Sequence, residues 1–495
     1  MLSSINLENQ GRRVLSVGIS LGLLSFISII SSLIQYPNSS SARVFLTFLL
    51  GGIIAAIFSF LSLRWSKIPN VTKASEVFSI SVIAIVFFIA SSASLYLIAG
   101  IVSTVDAGIW EATAGITTTA VSGLEPESLS SSVHIFRSLT QWVGGLCALC
   151  LVFVATPIAA KDDTASSGYA SRIFNRSPGK RIKELTTLYL ILTIAIFFGY
   201  YFAGMGCFDS ICHSLTTSST GGLSTRALSI GSFNSPAIEW VATIGMAIGG
   251  LNLGIFWWIW KRKFSDIKGN TELRLYLTIL VLTACIFWWK LDTGFTVLTE
   301  LRKAFFIAAS LLSTTGYTNV SWDFTSGMSA VALLALAIGA MAGSTGGGFG
   351  VHRLLEIIKY LRRELTLSYR PSAIRAIKVS GKEVEKRELD KLHGYTATFI
   401  FLVAGGAFLL SLASQHLNLE ESIGLALSAF VTSGPGLTAS TTVAIEHNAV
   451  SHIALSSLMV VGRLSIFPIA YVILFTTRNL RLDLQGFRTK PVDEQ

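Results

Sequence analysis

The chain has 495 residues, of which 51% are hydrophobic and only 13% charged, with 31 Phe, 10 Trp and a formal net charge of +10. Soluble domains carry about 25% charged residues, so this composition excludes an ordinary soluble globular protein and points to a chain that lives in a bilayer. It carries no Walker loop, dinucleotide fingerprint or His-rich metal spacing, and no soluble domain fits between its apolar runs, which argues against an enzyme and against a nucleic-acid binder.

The polar stretch Met1–Arg13 lacks a signal-cleavage pattern, so the first apolar run reads as a retained span. A helix crosses a bilayer with about 20 apolar residues. Ten runs of that kind fall at 13–35, 43–63, 77–100, 131–160, 185–204, 236–260, 273–290, 326–360, 394–414 and 448–476. Basic clusters follow the even-numbered runs: Arg64, Lys67 and Lys73; Lys161 to Lys183; Lys261 to Arg274; Arg362 to Lys391; and Arg478 to Lys490. If all ten runs cross, every cluster lies on one side, which makes both termini cytoplasmic. The opposite side carries Asp106, Glu111, Glu125, Glu127, Asp209, Asp323, Glu420, Glu421 and Glu446 among Ser, Thr and Gly. Cys147 and Cys150 form a C-x-x-C inside an apolar run and read as small buried residues; a bridge between Cys207 and Cys212 is a minority reading. Trp257, Trp258, Trp260, Trp288 and Trp289 fall mostly at span ends, as interfacial anchors do.

Four outer connections are too long and apolar for plain loops. Each reads as a short helix, a polar turn and an exit to the next span, an arrangement tolerated at membrane depth only where backbone lines a wet cavity or is buried in protein. The turns run Thr117 to Leu124, Thr216 to Leu223, Leu312 to Tyr317 and Phe430 to Leu437. Aligned on glycine, they place Gly123, Gly222, Gly316 and Gly434 at intervals of 99, 94 and 118 residues. A period near 100 means one supersecondary unit repeated. The predicted fold is an all-α polytopic membrane protein: two N-terminal spans (1–70), then pore repeats at 71–165, 180–263, 270–365 and 390–480, each span, pore helix, filter turn and span, around a central pore.

A dehydrated cation must regain oxygen ligands, and backbone carbonyls supply them without fixed charge, so the ion binds yet can leave. The candidate potassium filter is Val121, Ser122 and Gly123; Thr220, Gly221 and Gly222; Thr314, Thr315 and Gly316; Thr432, Ser433 and Gly434. The pore helices aim their partly negative C-terminal ends at the same place. A second motif, Gly343-Ser344-Thr345-Gly346-Gly347-Gly348, interrupts the eighth run and reads as a flexible loop beneath the filter. Arg463 sits inside the last run, where charge is costly and presumed functional. It is read either as a positive charge gating the pore with that loop or as a structural partner to a neighbouring span. Arg137 divides between a salt bridge to Glu111 or Glu125 and a direct role. A sodium- or proton-coupled secondary transporter is the alternative reading, since such proteins also use broken helices.

These motifs, together with Phe136 to Leu146, Ala342 to Gly348 and Gly462-Arg463-Leu464, resemble the Trk/Ktr/HKT superfamily of potassium transporters, in the layout of its bacterial TrkH-type branch, over nearly the whole chain. The resemblance implies potassium uptake across the bacterial inner membrane, a homodimer, and a cytosolic TrkA-type nucleotide-binding ring on the basic face. Glycine at all four filter positions then implies potassium preferred to sodium. Two positions depart from the family: Gly350 stands where Lys is frequent, and Ser465 where Glu is frequent.

Overall fold

A computed structural model describes residues 2–34, 42–65, 74–162, 178–290, 296–319, 326–370, 377–379, 382–384, 386–414, 417–434 and 448–464. Each of the ten apolar runs contains helix among its described residues. Leu2–Leu33 (α1), Ala42–Trp65 (α2), Ala74–Ala99 (α3), Ser131–Asp162 (α5), Pro178–Phe202 (α6), Thr271–Lys290 (α11) and Lys386–Ala413 (α15) each contain a segment long and apolar enough to cross a bilayer. Between them stand four shorter helices: Val105–Ile116 (α4), Cys207–Ser218 (α7), Val297–Leu312 (α12) and Leu419–Phe430 (α16). These four stand where the sequence led us to expect pore helices.

The remaining runs are broken or short. Pro236–Gly249 (α8) and Gly254–Trp260 (α9) meet at 97°. The sequence reading ran this span straight through, and tertiary contacts at Gly250 to Leu253 account for the difference (below). A single turn of helix, Phe264–Lys268 (α10), follows α9. Ser326–Ile338 (α13) and Val351–Tyr369 (α14) flank the Gly-rich loop, where a break was expected. A two-residue antiparallel ladder, Lys378–Val379 (β1) with Lys382–Glu383 (β2), lies between α14 and α15. Ala449–Leu464 (α17) carries Arg463; Ser465 lies outside the described residues, as do Asp323 and Glu446.

Packing follows membrane rules. Lipid is as apolar as leucine, so helices associate through small residues and hydrogen bonds. Ser59 of α2 donates to the Gly18 carbonyl of α1 at 2.7 Å, and a Cβ on Gly52 would come within 2.8 Å of Ile29. The outer face of α2 leaves Leu50, Ile54, Ile57, Phe58 and Phe60 uncovered, as a lipid-facing surface requires. The pore helices are the opposite case. On α12, Ala304, Phe306, Ile307, Ala308, Ala309 and Leu312 are all fully buried, which holds its C-terminus at the centre of the molecule. The five cysteines are free thiols.

Candidate functional site

All four pore helices end in the same way. In α4, Thr118 N–H donates to Gly115 and Thr119 N–H to Ala114; in α7, Thr220 donates to Thr217 and Gly221 to Thr216. In α12, Thr314 donates to Leu311 and Thr315 to Ser310; in α16, Thr432 donates to Ala429 and Ser433 to Ser428. This pair of bonds is the Schellman motif, which needs a left-handed residue and is usually closed by glycine. Here the residue is threonine every time, at φ of 56°, 51°, 56° and 53° for Thr118, Thr220, Thr314 and Thr432. A β-branched residue at positive φ is an outlier that costs about 1–3 kcal/mol and persists only where its surroundings over-determine it. Four at one register mark the site more firmly than the glycines do.

The register so established differs from the expectation for repeat 1. Two residues past each left-handed threonine stand Ala120, Gly222, Gly316 and Gly434, at intervals of 102, 94 and 118 residues. Val121, Ser122 and Gly123, the sequence-derived filter of repeat 1, therefore lie one to three residues beyond the position matched by Gly222. Ser122 and Gly123 have other work: the Ser122 hydroxyl and the Gly123 N–H both donate to Glu111 Oε1 at 2.8 Å. Aligning on glycine hid this; aligning on the threonine that follows each helix would have found it.

The four strands close a ring in chain order. Gln141 of α5 joins repeats 1 and 2, its Nε2 donating to the carbonyls of Thr119 at 3.2 Å and Gly221 at 2.8 Å. Repeats 2 and 3 touch where a Cβ on Gly222 would lie 1.8 Å from the Thr315 carbonyl oxygen. Gly316 and Gly434 bring repeats 3 and 4 together, a Cβ on Gly316 lying 2.2 Å from the Gly434 Cα. Ala120 N–H completes the circle by donating to the Ser433 carbonyl at 2.7 Å. Tyr317 pins the ring from outside: its fully buried phenol contacts the hydroxyls of Thr216 at 2.5 Å and Thr217 at 3.2 Å. The motif segments Phe136 to Leu146 and Leu312 to Tyr317 contain Gln141 and Tyr317, but neither acquires a role from the sequence, because neither type of residue announces a contact 80 or 101 positions away.

At the outer rim, Arg137 meets Glu111 at 3.8 Å and donates to Ser122 at 2.6 Å, both charged side chains being buried. Of the two acids considered for it, the partner is Glu111. Asp106, at the start of α4, pairs with His452 of α17 at 2.6 Å, and His452 stacks on Trp110. Burial pulls the Asp106 carboxyl up, but hydrogen bonds from His452 and Thr104 outweigh it and leave the pKa below its ordinary value.

The Gly-rich loop lies directly against the inner ends of the pore helices. Thr345 donates to the carbonyls of Ser218 at 3.1 Å and Gly249 at 3.2 Å. Gly347 N–H donates to the Thr314 hydroxyl at 2.8 Å, and a Cβ on Gly347 would sit 2.1 Å from the Val431 carbonyl. Arg463 donates to the Thr345 carbonyl at 2.9 Å and the Gly144 carbonyl at 3.4 Å. The loop's start is held by Glu272, which accepts from Ala342 N–H at 2.9 Å, and by Asn252, which donates to the Ala342 carbonyl at 2.5 Å. Met341 N–H donates to Gly250 and Leu253 N–H to Gly343, both at 3.0 Å. The α8–α9 bend is thus the other half of the loop's anchorage, since a straight helix would consume these backbone groups. Gly350, at φ 97°, opens α14 in a conformation lysine would strain to adopt. Arg353 lies 3.9 Å from the centre of the Tyr395 ring and donates to the Phe349 carbonyl at 2.5 Å.

Comparison with known proteins agrees with this layout. The TrkH family, described as cation transport proteins, matches residues 45–478. The Trk system potassium uptake protein TrkH of Salmonella typhimurium is 29% identical over 390 residues, covering 75% of this chain and 79% of that protein. Its Escherichia coli K12 counterpart is 28% identical over 390 residues with the same coverage. The crystal structure of the potassium transporter TrkH from Vibrio parahaemolyticus superposes with a TM-score of 0.81, covering 93% of this chain and 98% of that one at 23% identity, a likeness of fold.

Proposed function

This chain belongs to the TrkH family of cation transport proteins, and on that premise we propose that it takes up potassium across the cytoplasmic membrane through the four-stranded ring. The observation that carries the reading is the fourfold left-handed threonine, which turns four successive backbone segments toward one another at the ends of four buried helices. Carbonyls so presented replace a hydration shell without fixed charge. Helix C-termini add partial negative charge. The buried hydroxyls of Thr118 and Thr432 have no protein partner among the described residues and are available to a cation entering from below. Coupled carriers work between two halves; fourfold repetition favours the pore. Both termini and the basic connections are assigned to the cytoplasm, the basic face to a TrkA-type nucleotide-binding ring, and the chain to a homodimer.

The loop Gly343, Ser344, Thr345, Gly346, Gly347 and Gly348 is assigned as the gate, latched by Arg463. A charge-assisted hydrogen bond such as Arg463 to Thr345 contributes about 1.5–3 kcal/mol, so its removal favours an open loop by about tenfold or more. The test is rubidium influx, per molecule of membrane protein, in a bacterial strain lacking its own potassium uptake. The wild-type chain should restore growth at low potassium, and Arg463→Ala should raise influx at normal abundance. No rescue by wild type would overturn the transport assignment. Lost abundance in Arg463→Ala without gain per molecule would make the arginine a structural tie.

A further inference from the structure

We propose that Gln141 tunes the affinity of the ring for the transported cation, by competing with that cation for two of the carbonyls that would hold it. The inference rests on the pore reading above and names a positioning residue for the same site.

Gln141 stands on α5 rather than on one of the four strands, and it is fully buried. Its orientation is fixed by its partners. Leu223 N–H approaches one end of the amide at 3.3 Å, so that end is the acceptor oxygen. The other end is the nitrogen, which donates to the Thr119 carbonyl at 3.2 Å and the Gly221 carbonyl at 2.8 Å. Both N–H groups of the amide are thereby used. Gly221 leaves room for this side chain: the three atoms nearest to a Cβ placed there all belong to Gln141, with Oε1 at 2.2 Å.

Thr119 and Gly221 each follow the left-handed threonine of their repeat, and Thr315 and Ser433 hold the same place in repeats 3 and 4. Three of these four carbonyls accept from protein: those of Thr119 and Gly221 from Gln141, and that of Ser433 from Ala120 N–H at 2.7 Å. This layer of the ring is closed on itself. One nitrogen shared by two neighbouring strands draws both carbonyls toward α5, and a cation on the axis gains them when the amide releases them. A buried carbonyl left without a donor is costly. Removing the amide therefore strands two carbonyls, and an incoming cation becomes the group that satisfies them. Binding then tightens.

The experiment is rubidium influx against external rubidium concentration, per molecule of membrane protein, in a bacterial strain lacking its own potassium uptake. Gln141→Met keeps the length of the side chain and removes both donors. It should lower the half-saturating rubidium concentration by about fivefold or more, equivalent to about 1 kcal/mol, and lower the maximal rate with it, because a tighter ion leaves more slowly. Gly221→Ala displaces the same amide from the other side, at a residue that is not at positive φ. It should shift half-saturation in the same direction, and the double variant should add nothing to either single change. Thermal unfolding in detergent gives a second reading. Rubidium binds the folded ring, so it should raise the midpoint of Gln141→Met by more than that of wild type. An amide that only braces the strands would lower the midpoint equally with and without rubidium and leave half-saturation unmoved, which overturns the proposal. So does a raised half-saturating concentration in Gln141→Met. Failure of both single variants to accumulate also overturns it, since the amide is then a tie the fold requires. Absence of rubidium influx from the wild type would instead sink the pore reading.

Discussion

Gly222→Ala should abolish rubidium uptake. A Cβ at residue 222 would lie 1.8 Å from the Thr315 carbonyl oxygen, about half the separation at which non-bonded carbon atoms attract best. Residue 222 also sits at φ 72°, where an L-residue other than glycine costs about 1–2 kcal/mol. The Thr315 carbonyl must turn away or the strands must part, and either breaks the seam between repeats 2 and 3. The matched control is Gly405→Ala in α15, where an added Cβ meets nothing within 4 Å. That change should leave uptake intact and improve helix propensity by about 0.8–1 kcal/mol. Influx per molecule in Gly222→Ala within a factor of two of wild type would remove residue 222 from the ion path.

Glu111→Ala should be the most destabilising single change at the outer rim. Glu111 and Arg137 are each only 3% exposed, and removing one member of a buried pair strands the other charge at a cost of about 3–5 kcal/mol. Two donors converge on this carboxylate, the Ser122 hydroxyl and the Gly123 N–H, and Arg137 stands 3.8 Å away as its ion-pair partner. Glu111→Gln should cost less, because its amide oxygen can still accept from Ser122 and Gly123. Removing both charges as Glu111→Leu with Arg137→Met should recover part of the loss, since no unpaired charge remains. Thermal unfolding of the detergent-solubilised protein reads all three variants against wild type. Equal midpoints for wild type and Glu111→Ala would show that water reaches Arg137 and the pair contributes nothing.

Much of this molecule was legible in its sequence, and the reason is the solvent. A bilayer reads apolar length and flanking charge locally, so the ten runs at 13–35 through 448–476 could be placed without any tertiary contact, and each contains helix among its described residues. The four short helices were equally visible, because buried backbone at membrane depth leaves few other forms for a half-length apolar segment. The Gly343–Gly348 interruption and the buried charge of Arg463 stood out for the same reason: lipid tolerates neither without a partner. What the sequence left open was decided by contacts between distant segments. The register of repeat 1 depends on where α4 ends, and α4 ends where Thr118 and Thr119 bond back to Gly115 and Ala114; a glycine three residues further on was the stronger local signal, and it lies off the register the other three helix ends share. The α8–α9 bend arises because Gly250, Asn252 and Leu253 bond the loop around Ala342 rather than their own helix, a choice that local propensity at Gly249-Gly250 permits but does not require. Gln141 and Tyr317 acquire their places only when repeats 80 to 101 residues apart are brought side by side. Local hydrophobicity determined which segments enter the membrane, and hydrogen bonds between repeats, strong because little water competes for them, determined how those segments meet at the ring.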